Sequence, residues 1–214
     1  MALNINGTTG ISGVDGSVSA PALTGTDSNT GITFPSADTI KFATGGVERM
    51  SITNSGVSGI TAGITQADQW RMNSGYSYNS GTLEHNWERN DTDFTLIGSG
   101  MSESSGIWTF PVTGIYQVNI HFGMYKANAN VRYMGGYIYT TTDNANFNAR
   151  ADGYGSVTSS ANSYTNLDLS LIFDVTDTST HKVRFNADAE VSVTYDGHSS
   201  RNRTFATFIK LGDT

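Results

Sequence analysis

The sequence predicts an all-β protein, a β-rich N-terminal stalk followed by a β-sandwich of jelly-roll type, and three observations carry that expectation. Apolar and polar residues alternate with period two over long segments. Leu167, Leu169, Leu171 and Phe173 are set against Asp168 and Ser170, and Val191, Val193 and Tyr195 against Ser192 and Thr194, the side-chain period of a half-buried strand. Turn chemistry is dense, with 24 glycines and pairs such as Asp15-Gly16 and Gly45-Gly46, which mark tight reversals. No segment carries the apolar stripe of an amphipathic helix.

Residues 1 to 60 form a first region. Gly followed by Ile or Val recurs at Gly10-Ile11, Gly13-Val14, Gly31-Ile32, Gly46-Val47, Gly56-Val57, Gly59-Ile60 and Gly63-Ile64, so very short strands joined by tight turns are expected. Strands of this length with one Ile each expose as much as they cover in one copy, whereas three copies about a common axis bury it. The clearest hairpin is Asp38 to Ile52. Ile40 and Phe42 alternate on one arm, Val47 and Ile52 lie on the other, and Gly45-Gly46 supplies the positive φ of the turn.

From Thr61 onward the aromatic density rises, and residues 61 to 214 form the expected head. Strands are predicted near 66–73, 83–88, 92–97, 106–110, 114–125, 131–140, 164–174, 182–195 and 203–211. In the run Gly106-Ile107-Trp108-Thr109-Phe110-Pro111-Val112-Thr113-Gly114-Ile115-Tyr116, Pro111 cannot donate to a ladder, so the chain leaves the sheet there, and Gly114 lets it turn back. Eight or so strands with long loops and no connecting helices point to a jelly roll.

Composition excludes several functions. The formal charge is −7 and charged residues are 14%, which works against a nucleic-acid partner because phosphate binding needs clustered Lys and Arg. With no cysteine there is neither a disulfide framework nor a thiolate nucleophile. No stretch approaches a membrane span, and the start Met1 to Asn6 lacks the basic and apolar regions of a signal peptide, so synthesis and folding in a cytoplasm are expected. The Asn-x-Ser/Thr sites at Asn6, Asn90 and Asn202 read as chance matches in a Thr-rich chain.

Chemistry-bearing constellations are sparse. His85, His121, His181 and His198 lack metal-like spacing, and Glu84, Glu88, Asp91 and Asp93 read as solvated edge charges rather than as the acid pair of a glycosidase. Asp143-Asn144-Ala145-Asn146 and Asp174-Val175-Thr176-Asp177 offer oxygen ligands without the fixed series of a dedicated calcium loop. No cofactor is expected, with calcium as the open alternative. No phosphate cradle, nucleophile elbow or zinc-protease motif occurs, so the chain is not expected to be an enzyme.

Two resemblances add to this. The spacing Gly-x-x-x-Phe-Pro-x-x-Gly-x-Tyr over Gly106–Tyr116 resembles the signature of the globular heads of the first complement component and the tumour necrosis factor ligands, which are trimeric jelly rolls. The closing run Arg203 to Leu211 is similar to the final aromatic strand of those heads. That resemblance implies a homotrimer in which Phe110, Tyr116, Phe122, Phe205 and Phe208 are core or interface residues. The run Phe42-Ala43-Thr44-Gly45-Gly46-Val47-Glu48-Arg49-Met50 resembles a shaft element of bacteriophage fibre proteins, and segments at 66–71, 83–89 and 98–102 resemble bacteriophage tip domains.

The expectation is therefore a virion structural protein, made in the host cytoplasm: a homotrimeric short fibre or spike docked to other virion proteins through its N-terminal region. The alternative is a capsid decoration or cement protein, and less favoured is a glycan-processing enzyme. Residues Thr140 to Tyr164 are expected to hold a receptor loop for a host glycan or protein. Asn144, Asn146, Asn148, Arg150, Asp152, Tyr154, Ser159, Ser160, Asn162 and Tyr164 there mix rigid aromatics with adaptable hydrogen-bonding groups; a merely solvated loop is the alternative.

Overall fold

The computed structural model describes residues 4–6, 10–12, 15–59 and 63–214. Every described element is a strand, and backbone contacts divide the chain into two compact units, Met1–Gly63 and Ile64–Thr214. The repeat position Gly13-Val14, Ile60 of the Gly59-Ile60 pair and the expected boundary at residue 60 fall outside the described residues.

In the first unit β1 (Asn4–Asn6) pairs with β2 (Gly10–Ser12), and β3 (Gly16–Ser17) with β4 (Ala20–Pro21). Then β5 (Leu23–Thr24), β6 (Gly31–Thr33), β7 (Ile40–Thr44), β8 (Val47–Thr53) and β9 (Gly56–Ser58) form an antiparallel meander in sequence order. The β7–β8 hairpin turns on Gly45 and Gly46 with φ of 60° and 74°, between the paired Thr44 and Val47. Two consecutive positive φ values are what the mirror-image hairpin turn requires, and glycine adopts them without strain.

The ladder sorts side chains onto two faces. Leu23, Ile32, Phe42 and Met50 are register partners across four strands, and Ile40, Ile52 and Val57 form the next row on the same face. The opposite face carries Thr33 and Ser51, both buried. Thr33 Oγ1 donates to the Asp15 carbonyl at 2.6 Å, and Ser51 Oγ lies 2.7 Å from Ser58 Oγ. The polar face is thus covered while Leu23, Ile40, Val47, Ile52 and Val57 stay exposed, the reverse of an ordinary half-buried sheet.

The second unit contains β10 (Ala67–Met72), β11 (Ser74–Thr82), β12 (Trp87–Arg89), β13 (Ser102–Ser104), β14 (Ile107–Thr109), β15 (Gly114–Lys126), β16 (Val131–Thr141), β17 (Asn148–Val157), β18 (Ser163–Val175), β19 (Lys182–His198) and β20 (Phe205–Gly212). One layer runs β12-β10-β20-β15-β18; the other places β13, β14 and β11 on one side of β19 and β16 and β17 on the other. The far end of β19 pairs Tyr195 and Thr194 with Met124 and Tyr125 of β15, so the two layers are one curled sheet, a jelly roll. Ala67 opposes Ile209, which sets the first and last strands of the unit side by side.

Alternation fills the space between the layers. β15 sends Tyr116, Val118, Ile120, Phe122 and Met124 inward, and all are buried. Phe208 of β20 packs 6.1 Å from Trp108 and 6.2 Å from Phe185 of the facing layer, and Phe110 packs 4.7 Å from Tyr116. The Tyr116 hydroxyl donates to the Val112 carbonyl at 3.0 Å, closing the turn that begins at Pro111. Burial pushes this hydroxyl up to about 12 against the opposing effect of that bond. Gly114 sits at φ 148° with the Gly212 carbonyl 2.7 Å from where a Cβ would stand, so only glycine fits there.

Several strand expectations are corrected. Of 83–88 only Trp87 and Glu88 are strand, because the chain turns at Asn86 (φ 66°), and Ser102–Ser104 is an unexpected strand. Residues 92–97 form no strand beyond a single bridge from Ile97 to Ala67, because the segment turns at Asp93 (φ 52°). Residues 74–82 and 148–157 are strands that the sequence reading left as connections. Their Ser, Tyr, Gly and Asn content hides a period-two pattern, and β17 owes its small residues to close packing: a Cβ on Gly155 would lie 2.5 Å from Thr165 Oγ1.

Candidate functional site

The expected receptor loop is mostly strand. Thr140 to Tyr164 runs down the end of β16, turns at 142–147, climbs β17 and reaches the start of β18, so its two ends lie roughly 30 Å apart along the strands. The candidates separate accordingly. Asn144 and Asn146 sit in the turn, Asn148, Arg150, Asp152 and Tyr154 on β17, Ser159, Ser160 and Asn162 in the far connection, and Tyr164 on β18.

The 142–147 turn is built around Asp143. Its carboxylate accepts from Asn146 Nδ2 at 2.7 Å, the Asn146 N–H at 2.7 Å, Thr141 Oγ1 at 2.7 Å and the Ala145 N–H at 2.9 Å. These donors, the Asn146 side chain foremost, hold it well below the usual carboxylate range. Asn144 adopts φ 57° and its N–H donates to the Thr180 carbonyl at 2.9 Å. Asn146 and both Asp143 oxygens are therefore committed to holding the turn.

The outward face of β16, β17 and β19 is aromatic. Tyr154 Oη donates to Asp188 Oδ2 at 2.8 Å, and Tyr137 Oη, which also meets Tyr154 Oη, lies 3.2 Å from the same oxygen. Burial, together with the bonds to Tyr137 and Asp188, pushes the Tyr154 hydroxyl far above the ordinary tyrosine value. Tyr133 stands edge-on to Tyr154 at 5.7 Å, Tyr139 lies 5.6 Å from Tyr137, and the Arg184 guanidinium lies 4.3 Å from Phe147 and 5.2 Å from Tyr139. Sequence reasoning found Tyr154 here and missed Tyr133, Tyr137, Tyr139, Phe147, Arg184 and Asp188. The signal available was the odd-numbered tyrosine register of β16 against inward Met134, Gly136 and Ile138.

The other layer presents a different outward face. His121 Nδ1 lies 2.7 Å from Asp168 Oδ1, and the His121 ring stacks on Phe205 at 5.2 Å. Asn119, Ser170 and Thr207 line the same groove, and Ile172 stands exposed beyond it. Of the five aromatics named as core or interface, Phe110, Tyr116, Phe122 and Phe208 lie in the core, whereas Phe205 faces outward. Tyr164 is 63% exposed, its ring 5.3 Å from Tyr125.

A third concentration of polar groups lies where β10 and β12 meet the 199–204 connection. Arg71, fully buried, donates through Nε to Glu88 at 2.9 Å and through Nη2 to Asp91 and the Ser199 carbonyl. Beside it, Gln69, Asn90 and Asn202 join side-chain amides.

No family model matches the sequence, and no curated protein matches it either. Solved structures do match. Murine APRIL at pH 5.0 is 16% identical with a TM-score of 0.51, over 68% of this chain and 98% of that chain. Eiger TNF from S. frugiperda is 11% identical with a TM-score of 0.54, over 69% of this chain and 93% of that one. At this identity the likeness is one of fold, an all-β jelly roll of the tumour necrosis factor type.

Proposed function

We propose that this chain is a non-enzymatic structural protein of a tailed bacteriophage virion, a homotrimeric short fibre or spike that presents its jelly-roll head to a host surface. The observation that carries this reading is the uncovered apolar face of β5–β9. In its rows, Leu23, Ile40, Ile52 and Val57 stay exposed among the described residues, and a threefold bundle would supply their partners. The jelly-roll fold and the fibre-like hairpin at Phe42–Met50 support the same reading.

The mechanism is physical. Three weak head contacts on one axis raise avidity through effective concentration, and an interlocked assembly does not depend on disulfides outside the cell. The N-terminal region docks the trimer to other virion proteins, its two- and three-residue ladders being too short to persist alone. A reconstruction of the particle whose genome encodes this chain tests the reading. Threefold density with a jelly-roll head at the tail supports the spike, density on the capsid shell replaces it with the decoration protein, and absence from the particle overturns both.

A further inference from the structure

Arg184 of β19 stands opposite Tyr139 of β16, and its guanidinium lies over two rings, 4.3 Å from the centre of Phe147 and 5.2 Å from that of Tyr139. Phe147 ends the 142–147 turn, which the four bonds to Asp143 hold in shape, so one platform is set before any ligand arrives. Ring contacts take up the faces of a guanidinium and leave its edge, where the N–H donors point, for other partners. Among the described residues that edge has none. Arg71, Arg89, Arg132 and Arg203 each meet a carboxylate, whereas Arg184 forms neither an ion pair nor a side-chain hydrogen bond. Its Nε is buried and unpaired, but the two Nη groups of this half-buried residue are not sealed in, so a ligand reaches them from solvent. A cation that has lost part of its water without gaining an acceptor is costly.

The surroundings define the acceptor. Arg150 is the extra residue of the β-bulge opposite Tyr139, since Ile138 pairs with Ala151 and Tyr139 with Ala149. It is exposed, its Nε reaches Thr140 Oγ1 at 3.4 Å, and among the described residues it meets no carboxylate. Two cations therefore flank β16 on neighbouring strands, with backbones roughly 10 Å apart. This end of the face is positive in a chain whose formal charge is −7. Farther along, Asp152 opposes Tyr137 and Asp188 holds two tyrosine hydroxyls, and those carboxylates repel a multiply charged anion. A single planar carboxylate matches the one open edge, with two parallel N–H donors for its two oxygens. The rings of Tyr139 and Tyr137, 5.6 Å apart, give an organic body a surface to lie on that an inorganic anion does not use.

We propose that Arg184 binds the carboxylate of an organic acid, its Nη edge donating to both oxygens while the body of the ligand lies along Tyr139 and Tyr137 and Arg150 adds attraction from the next strand. The site stands on these residues alone. The surface-binding reading enters only for the source of the carboxylate, an acidic sugar of a host glycan.

Saturation-transfer NMR of the full-length protein with glucuronate, galacturonate and N-acetylneuraminate at millimolar concentration tests it, with glucose and galactose as neutral counterparts. At least one acid is expected to receive saturation, and neither neutral sugar. Arg184→Gln, which removes the charge, and Arg184→Lys, which keeps the charge without the paired donors, are each expected to weaken binding about tenfold or more. Arg201→Gln, which removes another exposed arginine of the same unit, is expected to leave it unchanged. No transfer to any of the three acids, equal transfer to the neutral sugars, undiminished binding in Arg184→Gln, or equal loss in Arg201→Gln overturns the inference. Undiminished binding in Arg184→Lys, or stronger competition by inorganic phosphate than by acetate at equal ionic strength, overturns the carboxylate assignment. Should Arg184→Gln fail to fold, Arg184→Lys decides. None of these results bears on the oligomeric state, which is measured separately, so failure here and failure of the trimeric reading are distinguishable.

Discussion

Ile40 and Ile52 stand opposite each other in the β7–β8 ladder, 36% and 38% exposed, with Val57 beside them at 59%. Their backs are the polar side of the sheet, where Thr33 and Ser51 are buried and hydrogen-bonded. Burying hydroxyls while leaving a contiguous apolar row in water is unfavourable for an isolated chain, since each buried methylene contributes about 0.8 kcal/mol. Association over that face removes the conflict.

A charge placed in the row should therefore disassemble the protein without unfolding the head. Ile52→Asp is expected to shift the species seen in sedimentation velocity toward the single chain, with the near-UV circular dichroism of the aromatic core unchanged. Unaltered sedimentation would show that the row lies outside any interface.

The aromatic core predicts a large cavity cost at its centre. Phe208 touches rings of both layers, so Phe208→Ala is expected to lower stability by about 3–5 kcal/mol in urea unfolding. Phe205→Ala, on the outward face, is expected to cost much less in the head's own unfolding.

Asp68 is a buried carboxylate that accepts from the Met101 N–H at 2.7 Å, Trp70 Nε1 at 2.9 Å, the Gln69 N–H at 2.9 Å and Arg89 Nε at 3.1 Å. It fastens β10 to β12 and to the chain ahead of β13. Asp68→Ala strands these donors and should cost on the order of 3 kcal/mol, read as a lower urea midpoint.

The buried tyrosines set an alkaline limit. The Tyr116 hydroxyl is pushed up to about 12, and that of Tyr195 is raised as well, by burial first in each case. Each raised value favours the neutral form in the folded state. Their contribution is fully present below the ordinary tyrosine value of about 10 and is lost as pH rises through the folded values. Spectrophotometric titration should show exposed tyrosines ionising first and the rest only with unfolding above about pH 10; one smooth titration near the ordinary value would contradict the packing.

The head was largely legible because burial imposes period two. β15, β18 and β19 announce themselves through Val118, Leu169 and Phe185 with polar neighbours, and Gly106–Tyr116 marks the turn between β14 and β15. What stayed hidden lacks that contrast. β11 and β17 alternate between residues of similar polarity or small size, such as Tyr with Ser and Asn or polar residues with Ala and Gly, and β17 stays small because Gly153 and Gly155 lie against Leu167 and Thr165. The outward side-chain clusters were harder to find for a related reason: Tyr137 and Asp188 meet across 51 residues of sequence, and Asn90 and Asn202 across 112. Such pairs are created by register, which local spacing does not encode.

The central claim is that three copies complete the fold, and the mass in solution tests it most directly. Light scattering of the full-length protein at micromolar concentration is predicted to give three times the chain mass of 22.9 kDa. A mass of 22.9 kDa under those conditions would contradict it.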